Sequence, residues 1–181
     1  MKLKNILILF TVGAIVGSFF DGFHTHSLTT QYPHPWKWQM AWWVPFLFGS
    51  ASATIGISHL WLDKKWDKPA NHLTWPIVLI GFVCFGMIYY ASGFFKLAPF
   101  TKTLSLATAS LIIWYFFDAS RQGLVVALGT SIIGCLVEII LIQLGLFRYI
   151  FPDFLGIPYW LPFLYIAASI SVGNLARKLE N

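Results

Sequence analysis

The sequence predicts an all-α membrane protein, a polytopic bundle of six transmembrane helices in a single domain over residues 1–181 with both termini in the cytoplasm. Of its 181 residues, 57% are hydrophobic and only 10% are charged, whereas soluble domains carry roughly 25% charged residues. The apolar residues form charge-poor runs of transmembrane length, and most lysines and arginines lie between these runs. A soluble fold could not cover so much apolar surface, so the bilayer is the expected solvent.

Six runs are long enough to span the hydrocarbon layer, which takes about 20 residues of helix. They cover residues 4–21, 41–62, 74–95, 101–118, 122–146 and 158–176. Only Asp118 to Arg121 separate the fourth run from the fifth, which predicts a tight helical hairpin because one span covering both runs would be far too long. The first run follows Lys2 and Lys4 as in a signal peptide, but no cleavage site follows it, so an uncleaved helix is expected.

The basic residues orient this bundle. With the amino terminus inside, the cytoplasmic segments carry Lys2, Lys4, Lys64, Lys65, Lys68, Arg121, Arg177 and Lys178, and the outer segments carry Lys37, Lys96, Lys102 and Arg148. This bias favours cytoplasmic termini under the positive-inside rule. The basic residues form no continuous face, so the net charge of +5 indicates contact with lipid headgroups and does not favour nucleic acid as a partner.

Small residues predict where the helices pack. Gly13 and Gly17 form a GxxxG pattern in the first helix, and Gly49, Ala53 and Gly56 recur on one face of the second. Close approach of backbones must hold such helices together because lipid supplies no hydrophobic drive between them.

Several short blocks resemble the Insig (insulin-induced gene) family. Trp114 to Gly123 (W-Y-F-F-D-A-S-R-Q-G) is similar to that family's W-W-T-F-D-R-S-R-S-G block, and Ala41 to Pro45 matches its A-W-W-V-P. The family's S-P-D-F-L, S-W-L-P and V-G-N-I-G-R blocks are matched in order by Pro152–Leu155, Trp160–Pro162 and Val172–Arg177. The resemblance covers roughly residues 41–62 and 101–179.

The resemblance implies a six-helix bundle with cytosolic termini and a lipid-binding cavity among the helices. Animal members bind oxysterols and the sterol-sensing domains of Scap and HMG-CoA reductase, whereas this short chain looks more like prokaryotic members, which resemble diacylglycerol-binding bundles. Asp118 falls on a family aspartate required for conformation and partner engagement, and Trp114 on a tryptophan that lines the sterol pocket. Thr101 replaces a glutamine that faces the sterol, which implies a different lipid. Asp153 and Asn174 lie in the shared blocks.

Local chemistry offers Asp118 a second role, as a turn or N-cap carboxylate that accepts hydrogen bonds from the amides of Ser120, Arg121 or Gln122 at the next helix start. Arg121 would then be either an interfacial charge or a partner for Asp118. Asp118, Arg121, Asp153 and Asn174 are therefore the expected structural or partner-contacting residues.

Glu138 lies well inside the fifth run, where an ionised carboxylate costs about 2.5–3.5 kcal/mol to insert. We therefore expect it to face the bundle interior. Two roles are open: a hydrogen bond to a lipid hydroxyl, or an interhelical bond with a Ser, Thr, Tyr or Gln side chain. Together with Trp114, Thr101 and Ser110, Glu138 makes up the predicted lipid-binding set.

Asp21, His24, His26 and His34 lie within fourteen residues in the predicted first loop. Imidazole and carboxylate groups bind zinc and iron, which would make a membrane metalloenzyme conceivable. Their spacing fits no specific metal motif, and an interfacial loop is the simpler interpretation. His59, near the end of the second helix, is expected at the interface as well. A second alternative is a small transporter that uses Glu138.

The favoured prediction is a non-enzymatic protein, without a cofactor, that binds a diacylglycerol- or sterol-like lipid and acts as a lipid sensor or regulatory adaptor. The expected partners are membrane lipid, further copies of the chain and an unidentified membrane protein. The expected location is the inner membrane in a prokaryote or the endoplasmic reticulum in a eukaryote.

Overall fold

The computed structural model describes residues 1–66 and 73–180, and within them it confirms the six-helix bundle. Lys68 lies outside the described residues. The helices are α1 (Leu3–His26), α2 (Val44–Lys65), α3 (Trp75–Phe94), α4 (Pro99–Phe117), α5 (Arg121–Gln143) and α6 (Leu161–Glu180).

Four of these helices, α1, α3, α4 and α5, are apolar and long enough to cross a membrane. The carboxy-terminal helix α6 is the central one: 13 of its 20 residues are buried, and it packs against all five other helices. A helix enclosed by its neighbours meets little lipid, so it can carry polar residues that are satisfied inside the bundle. Ser169, Ser171, Asn174 and Arg177 are all buried along α6.

Proline and serine mark where helices begin. Pro45, Pro76 and Pro99 each lie in the first two positions of a helix, where the missing amide hydrogen costs little. Helix α5 begins after Ser120, whose Oγ accepts a hydrogen bond from the Gly123 amide at 3.0 Å. The predicted hairpin of α4 and α5 is corrected in one respect: the two helices pack mainly against α6 rather than against each other.

The sequence predicted that the first helix ends at residue 21, but it continues to His26. It is an α-helix interrupted by a π-helical segment at Gly13–Gly17. The extension buries Asp21 and His24 on its inner face, where both find polar partners inside the protein. The prediction from hydropathy ended the helix at Asp21, the first acidic residue, because hydropathy does not show which polar partners a side chain finds in the fold.

The glycine pattern does mark the contact between α1 and α2. A Cβ atom at Gly13 would lie 2.3 Å from Ser52 Cβ and 2.5 Å from the Phe48 carbonyl oxygen. A Cβ atom at Gly56 would lie 2.6 Å from Leu9 Cδ1. The two backbones therefore approach as closely as the small residues predict.

The two ends of the bundle are closed differently. At one end the chain termini meet, because Asn5 Nδ2 donates to the Leu179 carbonyl oxygen at 2.8 Å. At the other end, β1 (Thr30–Gln31) pairs antiparallel with β2 (Arg148–Tyr149) and joins the connection after α1 to the one after α5. Both termini lie at one end, as an even number of spans requires.

Candidate functional site

An apolar cleft lies between α1, α2, α3 and α6, with one residue contributed by α5. Its cavity volume is about 70 Å³, so it is narrow, and it is partly open at one side. Its walls are aliphatic and aromatic, with Val16, Phe48, Ile55, Phe85 and Leu164 among the residues that line it.

Glu138 is the residue that α5 contributes to this cleft. Each of its carboxylate oxygens accepts a hydrogen bond from a phenol: Oε2 from Tyr149 at 2.6 Å and Oε1 from Tyr165 at 2.5 Å. Burial, with the nearby negative charge of Glu138, raises the pKa of the Tyr149 hydroxyl well above its usual range. Tyr149 therefore keeps its proton and serves as a donor.

A second carboxylate lies near the first. Asp21 is buried on α1, and its Oδ2 accepts a hydrogen bond from the Tyr32 hydroxyl at 2.8 Å. Burial and the Asp21 charge raise the pKa of Tyr32. Tyr89, which lines the cleft, is close enough to interact electrostatically with both Asp21 and Glu138. The ribbon β1–β2 and the residue after β1 thus carry two of the three phenols that hold these carboxylates, and α6 carries the third, Tyr165.

Ser52 supplies a further polar atom on the opposite wall. It lines the cleft from α2, its Oγ is buried, and that oxygen has no hydrogen-bond partner within residues 1–66 and 73–180. Burying a hydroxyl without a hydrogen-bond partner costs about 1–3 kcal/mol in the free energy of folding. The cleft therefore combines apolar walls with a carboxylate and an unsatisfied hydroxyl.

A different polar cluster closes the end of the bundle where the termini meet. Arg177 on α6 binds Asp63 through two hydrogen bonds, from Nε at 2.6 Å and from Nη2 at 3.1 Å. Its Nη1 is 3.0 Å from Asn174 Oδ1 and 3.2 Å from Asp118 Oδ2, and Nη2 is 3.1 Å from His59 Nδ1. Four of these contacts are hydrogen bonds from the guanidinium group, and the contact with Asp118 is an ion pair.

His59 was predicted at the membrane interface, but it is fully buried. Since Arg177 can only donate, His59 Nδ1 must accept, which leaves the proton on Nε2. That nitrogen then donates to Ser169 Oγ at 3.0 Å. His59 therefore connects α2 to the middle of α6.

Asp118 lies in the turn between α4 and α5. The prediction that it caps α5 is wrong. Helix α4 ends at Phe117, and Asp118 turns inward toward Arg177, so the capping role falls to Ser120. The Ser120 hydroxyl donates to Asp118 Oδ1 at 2.6 Å while accepting from the Gly123 amide. A Cβ atom at Gly123 would lie 1.5 Å from Asp118 Oδ2, so only glycine fits there.

The other predicted structural residues have simpler surroundings. Asn174 donates to the Phe117 carbonyl oxygen at 2.8 Å and so ties α6 to the end of α4. Arg121 is exposed, and the cation beside Asp118 is Arg177 instead. Asp153 is exposed, and its Oδ2 accepts from the Tyr159 amide at 2.9 Å within the connection before α6.

Three residues of the predicted lipid-binding set lie on α4 and do not line the cleft. Ser110 is buried and donates to the Phe163 carbonyl oxygen at 2.8 Å, which joins α4 to α6. Trp114 donates through Nε1 to the Ser120 carbonyl oxygen at 3.1 Å. Thr101 is exposed in the first turn of α4. Of the set, the structure brings only Glu138 to the cleft.

The histidines and carboxylate considered as metal ligands are separated. Asp21 binds Tyr32, His24 binds Ser92 Oγ at 2.8 Å, and His26 and His34 are exposed. In the part of the chain that the structure describes, no three His, Cys, Asp or Glu residues are grouped so as to hold a metal ion. Because Asp21 and His24 belong to the helix and face inward, a shared site with His34 does not form.

Sequence reasoning missed the partners of these charges. Weak signals were present: His59 and Asp63 are four residues apart, and Asn174 and Arg177 three apart, so each pair shares a helix face. Tyr149 and Tyr165 carried no such signal, because one lies in a connection and the other on the central helix.

The family model for the insulin-induced protein (INSIG) matches residues 4–180. The chain belongs to the Insig family. The likeness is more extensive than the short blocks suggested, since it includes α1 and α3. Insulin-induced gene 1 protein of Danio rerio is 30% identical over 182 residues, covering 98% of this chain and 72% of that protein. Insulin-induced gene 2 protein of Gallus gallus is 35% identical over 141 residues, covering 77% of this chain and 63% of that protein.

A solved structure of this family has the same fold. A cross-linked trimer of the mycobacterial Insig homolog MvINS is 25% identical to this chain, with a TM-score of 0.89 over 98% of this chain and 95% of that one. This Insig family member is therefore a multi-pass membrane protein with a six-helix bundle.

Proposed function

We propose that this Insig family protein is a non-enzymatic lipid-binding protein that holds a neutral, hydroxylated lipid of the diacylglycerol or sterol type in the central cleft. The observation that carries the proposal is the junction of an apolar, partly open cleft with a half-buried carboxylate, Glu138. Apolar pockets with a few convergent polar groups are the usual form of a small-molecule site.

The chemistry of the polar end favours a neutral lipid that donates a hydrogen bond. Each Glu138 oxygen accepts one phenol, so each keeps further acceptor capacity for a hydroxyl from the ligand. Asp21 lies close enough to interact with Glu138, so a lipid phosphate here would face two acidic groups whose partners among the described residues are neutral phenols. Ser52 offers its unpartnered hydroxyl to a second oxygen of the ligand, such as an ester carbonyl.

The shape of the cleft favours a slender ligand. The walls from α1 and α2 are fixed by glycine contacts, so the cleft accepts an acyl chain more readily than a rigid ring system, which would require the walls to separate. Diacylglycerol is accordingly the first candidate and a hydroxysterol the second.

The protein would have a regulatory role if the bound lipid and a membrane-protein partner both contact α6. Tyr165 of α6 binds Glu138 at the cleft, and Arg177 of α6 organises the cluster at the terminal end. A ligand shifts such a bundle only by its difference in affinity for two conformations. In this proposal α6 carries the change to a membrane-protein partner. The cross-linked MvINS trimer supports further copies of the chain as one such partner.

The test is lipid retention by the full chain, purified in detergent and examined by native mass spectrometry. The lipids are dioleoylglycerol, its acetate ester with the hydroxyl blocked, and a hydroxysterol. We expect dioleoylglycerol to bind more tightly than the ester by tenfold or more, because a hydrogen bond to a charged group contributes about 1.5–3 kcal/mol. Glu138→Gln should remove this preference. Glu180→Gln, at an exposed carboxylate, is the matched control and should keep it.

A second pair of variants tests the cleft itself. Ala51→Phe places a ring in the cleft, whereas Thr54→Phe places the same ring on the exposed face of the same helix. Only the first should reduce lipid retention. Equal binding of the alcohol and its ester, or equal retention by the two phenylalanine variants, would refute the proposal. Stronger retention of the sterol would replace diacylglycerol as the ligand.

A further inference from the structure

A second groove lies between α3 and α4, at the end of the bundle opposite the termini. Met87, Ile88 and Ala91 of α3 and Leu106 and Ala109 of α4 line its walls. Its cavity volume is about 260 Å³, and none of its lining residues lines the central cleft. The groove opens on the outside of the bundle, where lipid is the neighbour.

The groove carries one charged residue, Lys102, in the first turn of α4. Its side chain is only partly exposed, and Nζ donates to the Ser92 carbonyl oxygen at 3.0 Å. Ser92 lies in the last turn of α3, where carbonyl groups lack helical partners. The lysine therefore ties the two helices together while using one of its three N–H donors.

The charge of Lys102 is not neutralised locally. No carboxylate among residues 1–66 and 73–180 forms an ion pair with it. Asp153 acts on it only at longer range, and the Oδ2 of that residue already accepts from the Tyr159 amide. A lysine near a helix end extends its ammonium group to the membrane interface, where it can meet lipid headgroups.

We propose that this groove binds an anionic phospholipid, with an acyl chain along the walls of α3 and α4 and the phosphate on the ammonium of Lys102. The apolar walls call for a chain, which a free phosphate lacks, and the single cation calls for a phosphate. A zwitterionic phospholipid brings its own cation, so a net negative headgroup binds better. The site is independent of the proposed ligand in the central cleft.

Native mass spectrometry of the full chain in detergent tests the proposal with dioleoyl phosphatidylglycerol and dioleoyl phosphatidylcholine. We expect a preference of about fivefold for phosphatidylglycerol, the effect of one lysine at a lipid surface. Lys102→Gln should abolish the preference, and Lys102→Arg should keep it. Lys96→Gln, at an exposed lysine in the connection before α4, is the matched control and should also keep it.

The groove walls are tested by Ser105→Trp, which fills the groove, against Leu104→Trp, which places the same ring on the exposed neighbouring position. Only Ser105→Trp should reduce phosphatidylglycerol retention. Glycerol 3-phosphate at the same concentration should not displace the lipid. An equal loss of preference in Lys96→Gln and Lys102→Gln, displacement by glycerol 3-phosphate, or equal retention by the two tryptophan variants would overturn the proposal.

Discussion

The two ends of α6 hold buried charge in opposite ways. At the terminal end, Arg177 donates four hydrogen bonds to Asp63, Asn174 and His59 and forms an ion pair with Asp118. At the cleft, Glu138 and Asp21 are held by phenols, with no cation hydrogen-bonded to either carboxylate among the described residues. Carboxylates that share a cation need no ligand, whereas carboxylates satisfied only by neutral donors retain capacity for one. The first arrangement suits a structural corner and the second suits a binding site.

The largest effect should come from removing the cation at the structural corner. Arg177→Met would leave Asp63 and Asp118 without their shared partner, and we expect a loss of about 3–5 kcal/mol in the free energy of unfolding. Denaturant unfolding of the detergent-purified protein measures it. Lys178→Met, at the less buried neighbour, should change stability by less than about 0.5 kcal/mol. If both variants unfolded alike, the cluster would not be the corner described above.

A smaller effect should distinguish the fixed wall of the cleft from the lipid-facing surface. Gly13→Ala would place a methyl group against Ser52 and the Phe48 carbonyl, and we expect it to destabilise the protein by about 1–3 kcal/mol. At Gly129 a Cβ atom meets nothing within 4 Å. Gly129→Ala should therefore stabilise the helix by up to about 1 kcal/mol. The same unfolding measurement tests both, and opposite signs are required. Equal signs would mean that α1 and α2 can separate, so that the cleft could widen there.

The comparison also shows what a single sequence can reveal. Six helices could be predicted because run length and hydropathy are local properties. The central position of α6 could not, because it depends on contacts with the five other helices. The partners of Arg177 could not, since Asp63 lies 114 residues away. A basic residue near a helix end is also what the positive-inside rule predicts, so Arg177 looked interfacial.

Asp118 and Glu138 show the same limit in two forms. For Asp118, a position in the four-residue connection between two predicted helices suggested capping, but the end of α4 at Phe117 turned the side chain toward Arg177. For Glu138, the cost of an intramembrane carboxylate correctly indicated an inward position. The cleft itself could not be predicted, because α1, α2 and α3 create it jointly and its lining residues look like ordinary packing residues.

The smallest effect should sharpen the assignment of the cleft cluster as a site rather than a structural device. Tyr149→Phe removes one of two phenols from Glu138 and should cost about 1 kcal/mol in the free energy of unfolding, because Tyr165 remains. Tyr159→Phe, at an exposed tyrosine, should have no measurable effect. If the Glu138 cluster were as structural as the Arg177 cluster, Tyr149→Phe would approach the cost of Arg177→Met. A bound hydroxylated lipid that replaces the missing donor should instead restore most of the loss, so unfolding with and without added dioleoylglycerol separates the two roles.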